Sequence, residues 1–384
     1  MRVAQLTTTL RGGAGEAATR LSGALNEVGI VSELISQRSA TGETSARSKF
    51  TTVLQKHFVQ SSPNLITTYS QTTIQEESLE SYNILHFHSI YNLIKVQDIG
   101  VFARGRPIFL TLHDQRLLTG GCHYSGPCKG FESACQECPQ TKKTFRGAVH
   151  RQKMLLDVLL NDARVHVISP SVWLAKMAET IIASKKKVHV IRNPIPRVEN
   201  LNKLMSKETY DINPKKFVIG FVSMQLDNPL KGLRDLGNAI KLLPTEILDR
   251  LHLLLIGKSK LFLDEERITQ SFIKDPTGTI GLKIYQLMDV LVVPSRQDNS
   301  PNVIGEALMN GTPIIGSKVG GIPELMREFN CQVVNTTDAQ SLANAIIEQT
   351  TRDYSRSYLA RRAEMVFGYT VIGSELKNLY ESSL

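Results

Sequence analysis

Aromatic side chains are scarce in this sequence: 6% of 384 residues, with a single tryptophan. No stretch carries an RNA-binding signature, so a nucleic-acid partner is not expected despite a formal net charge of +9. No apolar run approaches the roughly 20 residues needed to cross a bilayer. The opening MRVAQLTTTLRGG lacks the apolar centre of a secretory signal and reads as a strand entering a glycine-rich turn. Cytoplasmic residence is therefore expected. Solenoid repeats and low-complexity tracts are absent too. Cysteines number only five, yet four of them fall between positions 122 and 138. What remains is an ordinary globular composition, 41% hydrophobic and 21% charged with mixed sign, which supports real cores rather than disorder.

Short apolar runs alternate with helical patterns along most of the chain. Strands are expected at Arg2–Thr8, Val31–Ile35, Asn83–His88, Pro107–His113 and Val165–Ser169, with helices at Gly15–Val28 and Val149–Leu160. The pattern restarts with strands at Phe217–Val222, His252–Ile256, Val290–Val293, Pro313–Gly316 and Gln332–Val334. Helices are expected at Leu233–Leu243, Asn302–Met309, Ile322–Arg327, Ser341–Glu348 and through about Ser355–Leu384. Repeated βα alternation predicts an α/β protein with parallel sheets. The runs are continuous rather than alternating, as in sheets covered on both faces. A polar stretch with Pro194 and Pro196, Asn193–Lys215, marks the break between two domains.

Five places carry chemistry. Arg11-Gly12-Gly13-Ala14-Gly15 joins the first strand to the first helix, where glycines let a phosphate approach backbone amides. Its spacing is not G-x-G-x-x-G, so an ordinary tight βα turn is the plain alternative. Thr111-Leu112-His113-Asp114 ends a strand, the edge at which open α/β sheets bind ligands. His113 there either orients a substrate or is satisfied by neighbouring backbone; His86 and His88 pose the same choice, with a structural role favoured. Lys231-Gly232 precedes a helix, where a cation suits a departing diphosphate; a solvated lysine is the alternative. The stretch Pro294–Pro313 places Asp298 in a loop and Glu306 in the second turn of a helix starting at Asn302, where carboxylates can hold sugar hydroxyls and helix amides a phosphate. Otherwise these are a loop residue and a surface helix residue.

The fifth place is the cysteine cluster. Cys122, Cys128, Cys135 and Cys138 are spaced C-x5-C-x6-C-x2-C in a glycine-rich loop, 119–140, with little apolar material. A cytoplasmic chain would not keep two disulfides, so one structural zinc is the expected use of four thiols, with His123 as a substitute ligand. Free or packed thiols, or disulfides in an unusual cell, are the alternative.

The stretch 285–324 resembles the retaining glycosyltransferases of family 4, which have the GT-B fold. Asp298 and Glu306 have the spacing of the family's Glu-x7-Glu motif, followed by Ala307 and Gly311-Thr312-Pro313. Tyr285, Asp289 and Pro294-Ser295 precede it as in the family, and Gly320-Gly321-Ile322-Pro323-Glu324 resembles the next loop. Gly12-Gly13 and Lys231-Gly232 match the donor loop and the phosphate-binding pair. The run from His113-Asp114 through Thr119–Tyr124 to Cys138-Pro139 is similar to a branch that assembles polysaccharide or lipopolysaccharide. Two departures stand out. Asp298 is one methylene shorter than the usual Glu, and Leu226 stands where the family has an arginine. Arg234, Arg296 or Lys258 are the candidate replacements.

The resemblance implies two Rossmann-like domains facing a cleft: an acceptor-side domain over 1–195, a nucleotide-sugar domain over 196–365, and a C-terminal helix, 366–384, free to return to the first. It implies transfer of a sugar with retention, from a nucleotide-sugar to a saccharide or lipid-linked saccharide acceptor. Glu306 would bind the ribose, Asp298 the sugar hydroxyls, and Lys231 with Gly12 and Gly13 the diphosphate; Asn302 joins the donor-binding set. His113 would position the sugar, with His113, Asp298 and Lys231 as the catalytic group. No cofactor or catalytic metal is implied. Lys185-Lys186-Lys187 and the cationic, apolar stretch Arg146–Leu160 add an expected peripheral contact with an anionic membrane face. The rival readings are a degenerate relative that binds without catalysis and a sugar-nucleotide epimerase, which 285–324 fits poorly.

Overall fold

The computed structural model describes residues 1–36, 72–182, 187–198, 205–275 and 281–384. Contacts divide the chain into two units, Met1–Pro194 with Ile372–Leu384, and Ile195–Val371. The break falls at Pro194, in the polar stretch where the strand–helix pattern lapses.

The first unit is built from β1 (Arg2–Thr7), α1 (Gly12–Glu27), β2 (Val31–Ser36), β3 (Ile84–Ser89), α2 (Val96–Ala103), β4 (Ile108–Thr111), α3 (Arg146–Asn161), β5 (Val165–Ser169), α4 (Val172–Glu179) and β6 (His189–Val190). Its strands pair in parallel in the order β2-β1-β3-β4-β5-β6. Beneath one face lies a core that includes Leu6, Leu85, Phe87, Leu110, Leu156 and Leu174. The other face packs Val3, Ile84, Phe109 and Ile168 against Leu25, Ile372, Leu376 and Tyr380. The final helix thus completes this unit's second layer.

The second unit carries β7 (Phe217–Val222), α5 (Leu233–Ile240), α6 (Thr245–Leu248), β8 (Leu251–Gly257), β9 (Thr269–Lys274), β10 (Val290–Val293), α7 (Asn302–Met309), β11 (Ile314–Ser317), α8 (Ile322–Met326), β12 (Gln332–Val334), α9 (Ala339–Gln349) and α10 (Arg356–Phe367). Helix α11 (Tyr369–Glu381) runs from this unit's end into the first. The sheet order is β12-β11-β10-β7-β8-β9, all parallel, the doubly wound arrangement of dinucleotide folds.

Both sheets reverse direction beside their first strand, between β1 and β3 and between β7 and β10. Crevices outside the strand carboxyl ends open at such points. The segments leaving β1, β3 and β4 in the first sheet, and β7 and β10 in the second, are therefore the places to look for ligand chemistry.

Strand lengths differ from expectation at one informative point. β4 ends at Thr111 rather than His113, so Leu112, His113 and Asp114 lie in the turn beyond it. The short helices α2 and α4 and the strands β6 and β9 were not expected. β9 is a half-exposed edge strand whose sequence TQSFIK lacks an apolar run, and β6 has only two residues.

Candidate active site

In the second unit the chain leaves β7, turns through a 3-10 segment at Pro229–Lys231, and enters α5. Asn228 caps the turn by accepting the Leu230 amide at 3.0 Å. Gly232 sits at φ 79°, and a β-carbon there would lie 2.0 Å from the Pro294 carbonyl oxygen. Only glycine allows this approach, so the lysine before it is held against the loop leaving β10. The Arg296 amide donates to the Leu230 carbonyl at 2.8 Å and closes the junction.

Across that junction the Lys231 ammonium donates to Asp298 Oδ2 at 2.6 Å. Asp298 also accepts from the Ser295 hydroxyl at 3.3 Å and is 6% exposed. The Gly320-Gly321 turn presses on the same loop: a β-carbon at Gly320, φ 58°, would meet the Asp298 carbonyl oxygen at 1.8 Å. The structure thus brings together Lys231 and Asp298, which sequence reasoning had assigned to separate parts of a donor.

Glu306 lies one helix turn into α7 and is 7% exposed. Its carboxylate accepts the Tyr285 hydroxyl. Tyr285 is itself fixed, since its carbonyl accepts the Thr312 hydroxyl at 2.7 Å and Arg356 donates to Thr312 Oγ1 at 3.2 Å. The spacing of Tyr285, Glu306 and Gly311-Thr312-Pro313 is therefore one packed unit. Asp298 stays in the loop leaving β10 but is buried there, and Glu306 is a buried rather than a surface helix residue. Pro301, at the N-cap of α7, supplies no side-chain cap.

Asp289 is structural. It accepts from the Val218 amide at 2.7 Å and from Lys207 at 2.8 Å, tying β7 to β10. Arg296 is also committed, with two bonds to Asp235 at 2.7 and 2.8 Å. It is not a spare replacement for the arginine absent at Leu226, which is a core residue at 3% exposure.

In the first unit, α1 begins at Gly12, and its capping residue Arg11 supplies no side-chain bond to the first turn. A β-carbon at Gly13 would meet nothing within 4 Å, so the turn surface stays open. Beyond β4, Asp114 accepts the Arg116 amide at 2.9 Å and pairs with its guanidinium at 2.9 Å. Asp114 thereby shapes the turn that carries His113.

His113 does not stand alone. Its Nε2 meets His88 Nδ1 at 2.9 Å, and the two rings stack with centroids 5.2 Å apart. His88 Nε2 lies 2.7 Å from Gln5 Oε1. The Gln5 amide reaches the Tyr380 hydroxyl at 3.4 Å, which meets His86 Nδ1 at 2.6 Å; His86 Nε2 meets Thr111 Oγ1 at 2.7 Å. Burial first, and then neighbouring imidazoles, push His86 down to about 3 and hold His88 well below the usual histidine range. Burial lowers His113 to about 4, with Asp114 opposing and Arg116 adding to the shift. All three rings are neutral at pH 7. Sequence reasoning favoured a structural role for His86 and His88 and missed Gln5 and Tyr380. The available signal was a glutamine inside the apolar strand RVAQLT.

The cysteine loop lies between β4 and α3. Cys122, Cys135 and Cys138 are buried together with Phe131 and Val149, and Cys128 is partly exposed. A hydrogen bond from the Cys122 thiol lowers Cys138 to about 6 and raises Cys122 itself; burial raises Cys135 to about 11. Each sulfur receives a bond: Gly130 N–H to Cys128 at 3.3 Å, Thr119 to Cys122, and backbone amides of Gly120 to Cys135 and of Gln140 and Thr141 to Cys138. Among the described residues, no three His, Cys, Asp or Glu side chains are arranged to hold a metal ion. The four sulfurs are gathered in one loop but not closed around a common centre.

Residues 216–351, most of the second unit, match the family model described as Glycosyl transferases group 1. A protein of Escherichia coli K12 described as a colanic acid biosynthesis glycosyl transferase, WcaC, is 22% identical over 328 residues, 78% of this chain and 76% of its own. Two solved structures share the fold. Anabaena HepE in complex with UDP-glucose has 17% identity and a TM-score of 0.65, with all of both chains covered. Sucrose-phosphate synthase from Thermosynechococcus elongatus has 17% identity and a TM-score of 0.64, covering 100% of this chain and 98% of its own. Over 216–351 the chain thus matches the group 1 glycosyltransferase family model, and its two doubly wound sheets have the GT-B fold of these solved structures.

Proposed function

We propose that this protein moves a sugar, with retention at its anomeric carbon, from a nucleotide-sugar to a saccharide or lipid-linked saccharide acceptor in surface polysaccharide synthesis. The observation that carries the reading is the buried pair of carboxylates, Asp298 on Lys231 and Glu306 on Tyr285, at the strand ends where the second sheet reverses. Glu306 holds the ribose, and Asp298 holds hydroxyls of the transferred sugar. Lys231 swings from Asp298 toward the diphosphate as the bond from the anomeric carbon to the diphosphate oxygen breaks with its electron pair on that oxygen. The acceptor hydroxyl oxygen bonds to the anomeric carbon on the same face and passes its proton to the departing diphosphate. Gly12, Gly13 and Asn302 add backbone amides to the anion, and His113 positions the sugar. The catalytic work is orientation and preorganised charge.

HepE is described in complex with UDP-glucose, which makes UDP-sugars the first donor class to try. Thermal unfolding with UDP-, GDP-, ADP- and CMP-sugars identifies the donor: a ligand at 100 times its Kd adds about 2.7 kcal/mol. Transfer or slow hydrolysis of that donor in vitro supports catalysis. Binding without either supports the degenerate, non-catalytic relative.

Two further parts belong to this reading. One is a zinc on Cys122, Cys128, Cys135 and Cys138, which requires the four sulfurs to draw together from their present arrangement; its support is the clustering and spacing of the four thiols. The protein also works in the cytoplasm at an anionic membrane face. Among the described residues no helix is long and apolar enough to cross a membrane.

A further inference from the structure

We infer that Gln5 and His88 are positioning residues that fix the tautomer of His113, presenting its Nδ1 as a hydrogen-bond acceptor, with Tyr380 of α11 setting the direction of the chain. The inference rests on the proposed role of His113 in positioning the sugar.

The direction follows from proton counting along bonds described above. A tyrosine hydroxyl 2.6 Å from an imidazole nitrogen is best made as O–H donating to N. With its one proton spent on His86 Nδ1, the Tyr380 oxygen can only accept from Gln5. The Gln5 NH2 group therefore faces Tyr380, and its carbonyl oxygen faces His88. That oxygen is an acceptor, so His88 carries its proton on Nε2 and its lone pair on Nδ1. His113 must then donate Nε2–H to His88 Nδ1, which leaves the lone pair of His113 on Nδ1. At the other end, His86 with Nδ1 accepting donates Nε2–H to Thr111 Oγ1. Each ring carries one proton, and both nitrogens of His86 and His88 are paired, so the assignment closes without a charge. A charged His88 would set its Nδ1–H against the Nε2–H of His113.

Burial makes the arrangement rigid. Gln5 and His86 are 0% exposed, Tyr380 is 0% and His88 is 4%. Rotating the Gln5 amide would set an N–H against His88 Nε2–H and leave a buried group unpaired, a cost of about 1–3 kcal/mol. The chain of bonds thus carries information from the C-terminal helix to the ring at the end of β4. A neutral acceptor at Nδ1 suits a hydroxyl of the sugar.

Nitrogen NMR on the full chain labelled at histidine tests this directly. The expected spectrum at pH 7 shows His113, assigned by its loss in His113→Asn, as the Nε2–H tautomer. An Nδ1–H tautomer or an imidazolium overturns the inference. In Gln5→Leu the expected result is a mixture of His113 tautomers, with kcat reduced about three- to tenfold, the worth of one transition-state hydrogen bond, and donor affinity unchanged. Tyr380→Phe should show a smaller mixture. A merely structural role would lower Tm in both variants without changing the tautomer, and that result also overturns it. If the tautomer is as expected but His113→Ala transfers sugar normally, the functional role of His113 falls while the hydrogen-bond chain stands.

Discussion

At the scale of single residues, the structure changes what the motif means. Lys231 and Asp298 are one ion pair before any donor arrives, so each substitution also releases the other partner. Lys231→Ala should still fold, since the ammonium is a third exposed, but turnover should fall about 100-fold or more, the usual effect of losing one preorganised charge at a leaving group. Near-normal steady-state turnover with the right donor would remove Lys231 from the phosphate site. Glu306→Gln should weaken donor binding with kcat little changed, because ribose contacts are alike in ground and transition states. Asp298→Ala should act mainly on kcat, since the sugar it holds gains positive charge. Calorimetric donor affinity that is identical in wild type and Glu306→Gln would refute the ribose assignment. The buried histidines set a pH window. Their folded values lie below the unfolded 6.5, so their contribution to stability is present above pH 6.5 and is lost as pH falls toward about 4. Each imidazole can cost up to about 1.4 kcal/mol per pH unit in that window. Urea midpoints measured from pH 7 to 4.5 should fall steadily, and a flat profile would contradict the neutral assignment.

At the scale of elements, legibility in the sequence followed burial. β7 and β10 are found at their expected bounds because apolar runs such as Phe217–Val222 and Val290–Val293 are covered on both faces and end at sharp turn signals. β9 escaped because an edge strand needs only one apolar side. The site followed the same rule. Residues spaced along one segment, Asp298 to Glu306, could be read directly. The bond partners could not, since Lys231–Asp298 and Gln5–His88 join residues 67 and 83 positions apart. The cysteine loop is the element with the most open prediction. Elemental analysis of protein purified without chelators or metal-affinity tags should find about one zinc per chain. Metal-free protein that is reduced and active would leave the four sulfurs as packed thiols.

At the scale of the whole molecule, the basic balance finds a specific surface in α3. Leu156, Leu159 and Leu160 face the core, whereas Met154, Leu155 and Val158 are 47, 36 and 71% exposed. Lys142, Lys143 and Arg151 are exposed on and just ahead of the same helix. The stretch expected at a membrane is thus divided between a core face and an outward apolar stripe flanked by cations. Lys185 and Lys186, expected to help, lie outside the described residues. Flotation with phosphatidylserine vesicles should recover the protein at low salt and less of it at physiological salt, and Val158→Asp should reduce recovery further. No recovery at either salt would end the idea of membrane contact.

The return of the last residues to the first unit also bears on biosynthesis. Tyr380 and Leu376 complete a layer that Val3 and Phe109 cannot close without them. They emerge from the ribosome long after Pro194: at about 5–20 residues per second, the interval to Ile372 is roughly 10 to 35 s. For that time the N-terminal half waits with Gln5 and His86 uncovered on one side, while Ile195–Val371 has everything it needs to fold. The part of the protein made second is therefore the part that can be finished first.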